Sequence, residues 1–353
     1  MRIKKALFLG TLCTAVSGMS LFAQAGVSYA KSAEKTTEAA SSEEAESEEE
    51  TSEEVTYPIT IEHAFGETVI ESKPERIATI GWENQDTPLA LGVAPVGVSA
   101  ANYGMVTDNN LHPWTDEAFA DLGVEKPVVF DDVDGLDFEQ ISDCNPDVIL
   151  AAYSGMTQED YDTLSEIAPV IPYKEKAWNT SWREQTIENA EGMGMKPEGE
   201  KKVKEVEDLI AEKLEEYPQL EGIPTAFCWI SADDFSTFYV YLPTDPRAAY
   251  LLDLGFTLPE SVQKLAGETD DFNITVSREN ADQLDDIQLM VVYGDEDLLK
   301  SLQEDKLMSQ IPAIKNGAVA LVDSTSALAG ACTPSILSIP YEIDEYLQLL
   351  ILL

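Results

Sequence analysis

The sequence predicts an α/β protein of two lobes joined by a single long α-helix. Three observations carry this. Pro197–Tyr217, near the middle of the 353-residue chain, reads as one uninterrupted solvated helix. On either side of it, short and continuously apolar strands alternate with helical patterns, as parallel sheets covered on both faces require. The two sides also share a weak repeat. In FEQISDCNPDVILAAYSG (138–155) and RENADQLDDIQLMVVYG (278–294), a glutamate leads a helix, an acidic turn precedes an apolar strand, and Tyr then Gly close it. The expected architecture is therefore two Rossmann-like lobes, 56–196 and 219–353, with a connecting helix over 197–218.

Within that helix Val203, Val206, Leu209, Ile210, Leu214 and Tyr217 recur at spacings of three and four, giving one narrow apolar stripe. Charged helix formers fill the rest, Pro197 suits the first turn and Pro218 stops the run. At 1.5 Å per residue the rod is about 30 Å long.

The chain opens on a secretory signal peptide over 1–25. Met1-Arg-Ile-Lys-Lys5 is the basic region and Ala6–Phe22 the apolar run. Ala23-Gln-Ala25 is the cleavage site, with Ser28-Tyr-Ala30 a second option. An uncleaved membrane anchor is the other reading, although the run is near the short limit for a span. Leu12 precedes Cys13 where a lipidation signal needs a small residue, so no lipobox is found. Residues 26–55 read as a disordered acidic spacer, with ten glutamates between Lys31 and Glu54. Net charge is −44, and setting aside the leader's +3 and the spacer's −8 leaves −39 from Val55 on. Such a surface repels nucleic acid and anionic lipid. Cys144, Cys228 and Cys332 have no paired spacing, so neither a disulfide framework nor a zinc site is expected.

In the first lobe a small hairpin (57–61 and 67–70) precedes strands at 76–80, 92–98, 127–130, 147–152 and 169–172, with helices over 84–91, 137–143 and 159–167. Ligands of open parallel sheets bind beyond the carboxyl ends of the strands. Trp82, Tyr103 and Tyr153 stand there, with Ala177–Trp182 supplying Trp178 and Trp182; Trp182 also suits the start of a helix over 182–193, facing the core. In the second lobe strands are expected at 225–230, 237–241, 287–293 and 317–322. Helices are expected at 248–254, 298–303 and from about 335 to the end.

Several stretches in this order are distinctive: HAFGETVIESKPERIATIGW, ALGVAPVGV, NPDVILAAYSGMTQEDYDTLSEIAPVI, AWNTSWREQT, YVYLPTDPRAAYLLDLGF and LSIPYEIDEYLQLL. Over about 57–350 the chain resembles the ferric-siderophore substrate-binding proteins of ABC importers, the ferrichrome-binding type. The resemblance implies the helical-backbone fold of that class and a shallow cleft for an iron chelate. Its lining would be Trp82, Tyr103, Tyr153, Trp178, Trp229, Tyr239 and Arg247, with Phe272 a weaker candidate. It implies no cofactor, because the siderophore and not the protein ligates the iron. Related cobalamin-binding proteins pair one surface glutamate per lobe with permease arginines, and the matching positions are Glu159 and Glu279. Without the resemblance, both read as solvated acids favoured by a helix dipole. The molecule so implied is an exported monomer, free in a periplasm or held at the outer face of the cytoplasmic membrane, that delivers a ferric siderophore to a permease.

Other functions are weighed against this. Haem or cobalamin suits an aromatic cleft too. A free metal site needs converging His, Asp and Glu, yet the chain has only His63 and His112, and His63 lies in the leading hairpin. An enzyme is disfavoured: no G-x-S-x-G elbow, P-loop or G-x-G-x-x-G follows a strand, and the pairs Asp131-Asp132 and Asp233-Asp234 have no base beside them. An adhesion or sensor module that binds without transporting is not separable by sequence alone.

Overall fold

The computed structural model describes residues 55–132 and 135–351. The signal peptide, its cleavage sites, Cys13 and all but the last residue of the spacer lie outside the described residues.

The leading hairpin pairs β1 (Ile59–His63) with β2 (Gly66–Ile70), Ile59 opposite Ile70. Ile61, His63, Thr68 and Ile70 turn inward at every second position, as the strand period dictates. Then β3 (Ile77–Thr79), α1 (Asp86–Ala90), β4 (Gly97–Ser99), α2 (Pro113–Asp121), β5 (Val129–Phe130), α3 (Phe138–Asp143), β6 (Val148–Ala151), α4 (Gln158–Ser165) and β7 (Val170–Pro172) alternate without exception. Their sheet is entirely parallel, in the order β5-β4-β3-β6-β7. Every residue of β3, β4, β6 and β7 is buried, which accounts for their unbroken apolar character. The chain leaves β3 toward β4 on one side and returns to β6 on the other. The crevice beyond β3 and β6 is therefore a topological switch point.

α5 (Trp182–Gly192) leads to α6 (Lys196–Glu215), the rod read from the sequence. Its last residue is Glu215, two short of the expected Tyr217, because Glu216 is the C-cap, Tyr217 has left helical geometry and Pro218–Leu220 forms a 3-10 turn. Val203, Val206 and Ile210 of the stripe are buried, and Leu214 and Tyr217 pack at the edge of the same core.

The second lobe follows with β8 (Thr225–Trp229), β9 (Thr237–Tyr241), α7 (Pro246–Asp253), α8 (Glu260–Ala266), β10 (Asn273–Ser277), β11 (Leu289–Tyr293), α9 (Glu296–Glu304), α10 (Pro312–Asn316), β12 (Val319–Val322), α11 (Ala327–Ala331) and α12 (Ser338–Ile351). Its order, β10-β9-β8-β11-β12, mirrors that of the first sheet. It is mixed: β8, β11 and β12 run parallel, whereas β9 is antiparallel to β8 and β10. The link from Trp229 to Thr237 is too short for a crossover, so β8 and β9 can only pair antiparallel. The weak repeat has a structural counterpart, since β6 and β11 each stand fourth of five in their sheet order, with Tyr153 two residues past the end of β6 and Tyr293 the last residue of β11. One apolar cluster runs from Trp182, Val206 and Ile210 through Phe227 and Val291 to Ile343 and Tyr346, so α6 shares the second lobe's core. Cys144, Cys228 and Cys332 are free and buried.

Candidate functional site

The floor of the cleft is fixed by backbone. Gly81, just past β3, takes φ +78, and a Cβ there would lie 2.7 Å from the Tyr153 carbonyl and 2.8 Å from Ser154 Cβ. Only glycine lets the ends of β3 and β6 approach this closely. Asn84, fully buried, clamps the same two ends. Its Nδ2 donates to the carbonyls of Ile80 (2.7 Å) and Tyr153 (2.9 Å). Its Oδ1 accepts from Tyr153 N (3.1 Å) and from Asn189 Nδ2 on α5 (2.9 Å). Trp82 is thereby presented from a buried hydrogen-bonded network, its own carbonyl accepting from Gln185 Nε2 at 2.8 Å.

An aromatic wall stands on this floor. Trp178 adopts φ +64, uncommon for a bulky residue, and its N–H donates to the Ser154 carbonyl at 3.2 Å. Its indole lies on Gly155, where a Cβ would fall 2.6 Å from the ring. Trp82 and Tyr153 meet it edge-on, with centroids 5.9 and 5.3 Å away. Trp82 borders two cavities. The inner one, about 210 Å³, is lined by Tyr103, Trp229, Tyr241, Arg247 and Tyr293 among others. The outer one, about 430 Å³, is lined by Trp178, Asp132 and Asp160 among others. Tyr103 of the first lobe and Tyr293 of the second meet edge-on at 5.2 Å, so both lobes build the inner cavity. Trp229 stacks on Tyr239 at 5.4 Å, and the two are 41% and 39% exposed.

Arg247 is the cavity's cation. Its Nε and Nη2 grip both oxygens of Asp245 (2.8 and 2.6 Å), and Asp245 also caps α7 through the Arg247 N–H. The guanidinium lies 3.9 Å from the centroid of Tyr241. Burial alone would lower its pKa, but the Asp245 hydrogen bonds hold it well above the ordinary guanidinium value. The bidentate pair engages Nε and Nη2 and not Nη1, so a donor remains for a ligand oxygen.

The wall of the inner cavity also carries the buried side chains of Glu83 and His112. Glu83, at φ +58, is 5% exposed; burial, then the neighbouring Asp86, raise its pKa well above the ordinary carboxylate value. His112 Nδ1 donates to the Met105 carbonyl (3.2 Å), which leaves Nε2 as an acceptor 3.9 Å from Glu83 Oε1. Burial pushes this imidazole down to about 4, partly offset by that hydrogen bond. Asp86 accepts from Trp114 Nε1 (2.9 Å), Thr115 Oγ1 (2.8 Å) and, across the lobes, Ser335 Oγ (2.5 Å).

Five residues expected from the sequence line these cavities: Trp82, Tyr103, Trp178, Trp229 and Arg247. Two stand behind them, Tyr153 under Trp178 and Tyr239 against Trp229. Trp182 is not brought to the cleft. It is 2% exposed, donates to Asp253 Oδ2 at 3.0 Å and belongs to the apolar core, because it opens α5 on the buried face. Phe272 packs at the edge of that core and borders a groove beside β10. Glu159 and Glu279 are exposed, each two residues after a side-chain cap, Thr157 and Ser277 respectively. Sequence reasoning missed Tyr241, Tyr293, Glu83 and His112. Tyr293 was within reach, since it closes an apolar strand, much as Tyr153 follows one two residues after β6. Among the described residues no group of three or more His, Cys, Asp or Glu is placed to hold a metal, and no helix is long and apolar enough to cross a membrane.

A family comparison decides what class of protein carries this cleft. The profile described as periplasmic binding protein matches residues 77–325. The chain belongs to the periplasmic binding protein family. This periplasmic binding protein is 48% identical to PiaA of Streptococcus pneumoniae TIGR4, whose crystal structure holds ferrichrome. The likeness covers 83% of this chain and 97% of that one, with a TM-score of 0.80. It is 24% identical to the petrobactin-binding protein YclQ of Bacillus subtilis over 305 residues, 82% of this chain and 88% of that one. A periplasmic solute binding protein of Mycobacterium smegmatis is 25% identical with a TM-score of 0.66, over 83% of this chain and 98% of that one. A binding protein of this family does its work without catalysis.

Proposed function

We propose that this chain is the substrate-binding component of an ABC importer, taking a ferric siderophore in the inter-lobe cleft and handing it to a membrane permease. One observation carries the reading. The aromatic wall of Trp82 and Trp178 and the Arg247 cavity adjoin in a chain 48% identical to a ferrichrome-bound protein. A ferric siderophore is a bulky organic shell around a shielded ion, with oxygens on its surface. Indole and phenol faces bury the shell, while the guanidinium and Tyr hydroxyls donate to the oxygens. The siderophore supplies the iron's ligands and the protein supplies none. Ferrichrome in PiaA favours this cargo over haem or cobalamin.

Glu159 and Glu279, one on each lobe, are the docking points for the permease, where a pair of carboxylates reads both lobes at once. The mature protein acts as an exported monomer at the outer face of the membrane.

Tryptophan fluorescence tests the cargo. Trp82, Trp178 and Trp229 lie at the cleft, so ferrichrome should quench emission saturably, at micromolar concentrations or below, and Trp178→Ala should weaken that binding. Quenching by haem or cobalamin alone would replace the cargo.

A further inference from the structure

Trp178 sits in the segment 173–181, between β7 and α5, and this strap is fastened to both lobes. On the first-lobe side Trp178 N donates to the Ser154 carbonyl (3.2 Å) and Thr180 Oγ1 donates to that of Ala152 (2.7 Å). On the second-lobe side Lys176 Nζ and Asn179 Nδ2 both donate to the Asp270 carbonyl, each at 3.1 Å. Lys176 Nζ also reaches Asp271 Oδ1 (3.1 Å) and Asp270 Oδ1 (3.3 Å). Trp178, at φ +64, lies between these two residues, and its indole turns instead to Gly155 of the first lobe.

The partners of Lys176 are themselves held. Thr269 Oγ1 donates to Asp271 Oδ2 (3.0 Å), and Thr244 Oγ1 donates to the Asp271 carbonyl (2.8 Å). Thr244 directly precedes Asp245, which grips Arg247. The loop 269–271 is thus fixed to the segment that carries the inner cavity's cation, and the strap to the strand end beneath the aromatic wall. The Asp271 hydrogen bond raises the Lys176 pKa, and Lys176 in turn lowers that of Asp271, so both are charged at neutral pH.

Two anchored loops that meet through solvent-facing hydrogen bonds can part without unfolding either lobe. The side chains of Lys176, Asp270 and Asp271 are between 40% and 86% exposed, so water competes for each bond. The inter-lobe hydrogen bond from Ser335 to Asp86 is buried and meets no such competition. A cargo packed on Trp178 and held by Arg247 spans the same two segments as the strap contact, so each favours the other.

We infer that Lys176 and Asn179 are positioning residues: with Asp270 and Asp271 they latch the Trp178 strap to the second lobe and set how fast the cargo leaves. This rests on the reading of the cleft as a siderophore site.

Stopped-flow tryptophan quenching of the full chain by ferrichrome, at a series of concentrations, separates association from release. In Lys176→Gln/Asn179→Ala release should be about tenfold faster, the scale of one net hydrogen bond and one exposed ion pair together, with association within about twofold. Ferrichrome is neutral, its hydroxamates balancing the ferric charge, so salt does not act on its encounter with the cleft. Raising salt from about 0.02 to about 1 M should therefore speed release from the native protein about twofold, by screening Lys176, and leave release from the variant unchanged. Damage to the fold would carry no such salt signature. A native release rate in the variant, or the same salt dependence in both proteins, would overturn the latch and leave the siderophore reading standing. Failure of ferrichrome to quench the native protein would overturn the siderophore reading and the latch with it.

Discussion

Gly155→Ala is the smallest change that should disable the cleft. Gly155 has no positive φ, so alanine brings no backbone strain of its own. The difficulty is steric. The new Cβ would sit 2.6 Å from Trp178 Cζ2 and 2.7 Å from Cε2 and Nε1, against about 3.4 Å for ordinary contact, so the indole must retreat by about 0.8 Å. Its backbone is pinned by the hydrogen bond to Ser154, so the ring moves rather than the chain. That strains the edge contacts with Trp82 and Tyr153 and tilts the wall the ligand packs on. Aromatic pairs of this kind are worth about 0.5–1.5 kcal/mol each. Losing one to two of them in the bound state weakens ferrichrome binding by about 5- to 30-fold. The global fold should lose little, at the low end of the roughly 1–3 kcal/mol typical of overpacking, because the ring can yield into a cavity. Isothermal titration with ferrichrome, the melting temperature and the tryptophan emission spectrum together read these effects. Native affinity with native emission would show that Trp178 does not form the wall.

Arg247→Ala strands the buried carboxylate of Asp245, so stability should fall by about 3–5 kcal/mol in urea unfolding. Adding Asp245→Asn should recover much of that loss without restoring ligand affinity. Asp86 makes a pH prediction. Burial raises its folded pKa from 3.8 to about 6, so the folded state holds the proton more tightly. Its contribution is present below pH about 4 and is lost as pH rises through 6, by up to about 3 kcal/mol. The stability gap between the native protein and Asp86→Asn should therefore move in favour of the variant between pH 4 and 7, and a constant gap would refute the burial argument. Glu159→Ala/Glu279→Ala alters only exposed positions, so ferrichrome affinity should stay within about twofold while permease-dependent iron uptake in cells is lost. Normal uptake would remove the docking assignment.

The first lobe was legible because its strands are buried on both faces and leave unbroken apolar runs such as Val148–Ala151. α6 announced itself through a stripe flanked by charge. α2 did not: it holds too few apolar positions for a stripe, and no side chain of His112 caps it. β10 was missed because it is an edge strand with little buried surface. In the site, the strand-end rule found Trp82 and Tyr103 because a parallel sheet aims those ends at its crevice. The rule failed for Trp182, whose position at the start of α5 turns it into the core. Glu83, His112 and Asp86 carry no sequence pattern, since they meet only when α1, α2 and the Ser335 turn are folded together. Nor does Asn84 look like a clamp until β3, β6 and α5 converge on it.

The central claim is that a chelated iron rests in this cleft with no protein ligand. Anomalous diffraction at the iron edge, on crystals of the protein grown with ferrichrome, tests it most directly. The expected result is a single iron peak between Trp82, Trp229 and Arg247, surrounded by siderophore oxygens and out of bonding reach of every side chain. Iron bound to a carboxylate or imidazole of the protein, or lying outside the cleft, would contradict the account.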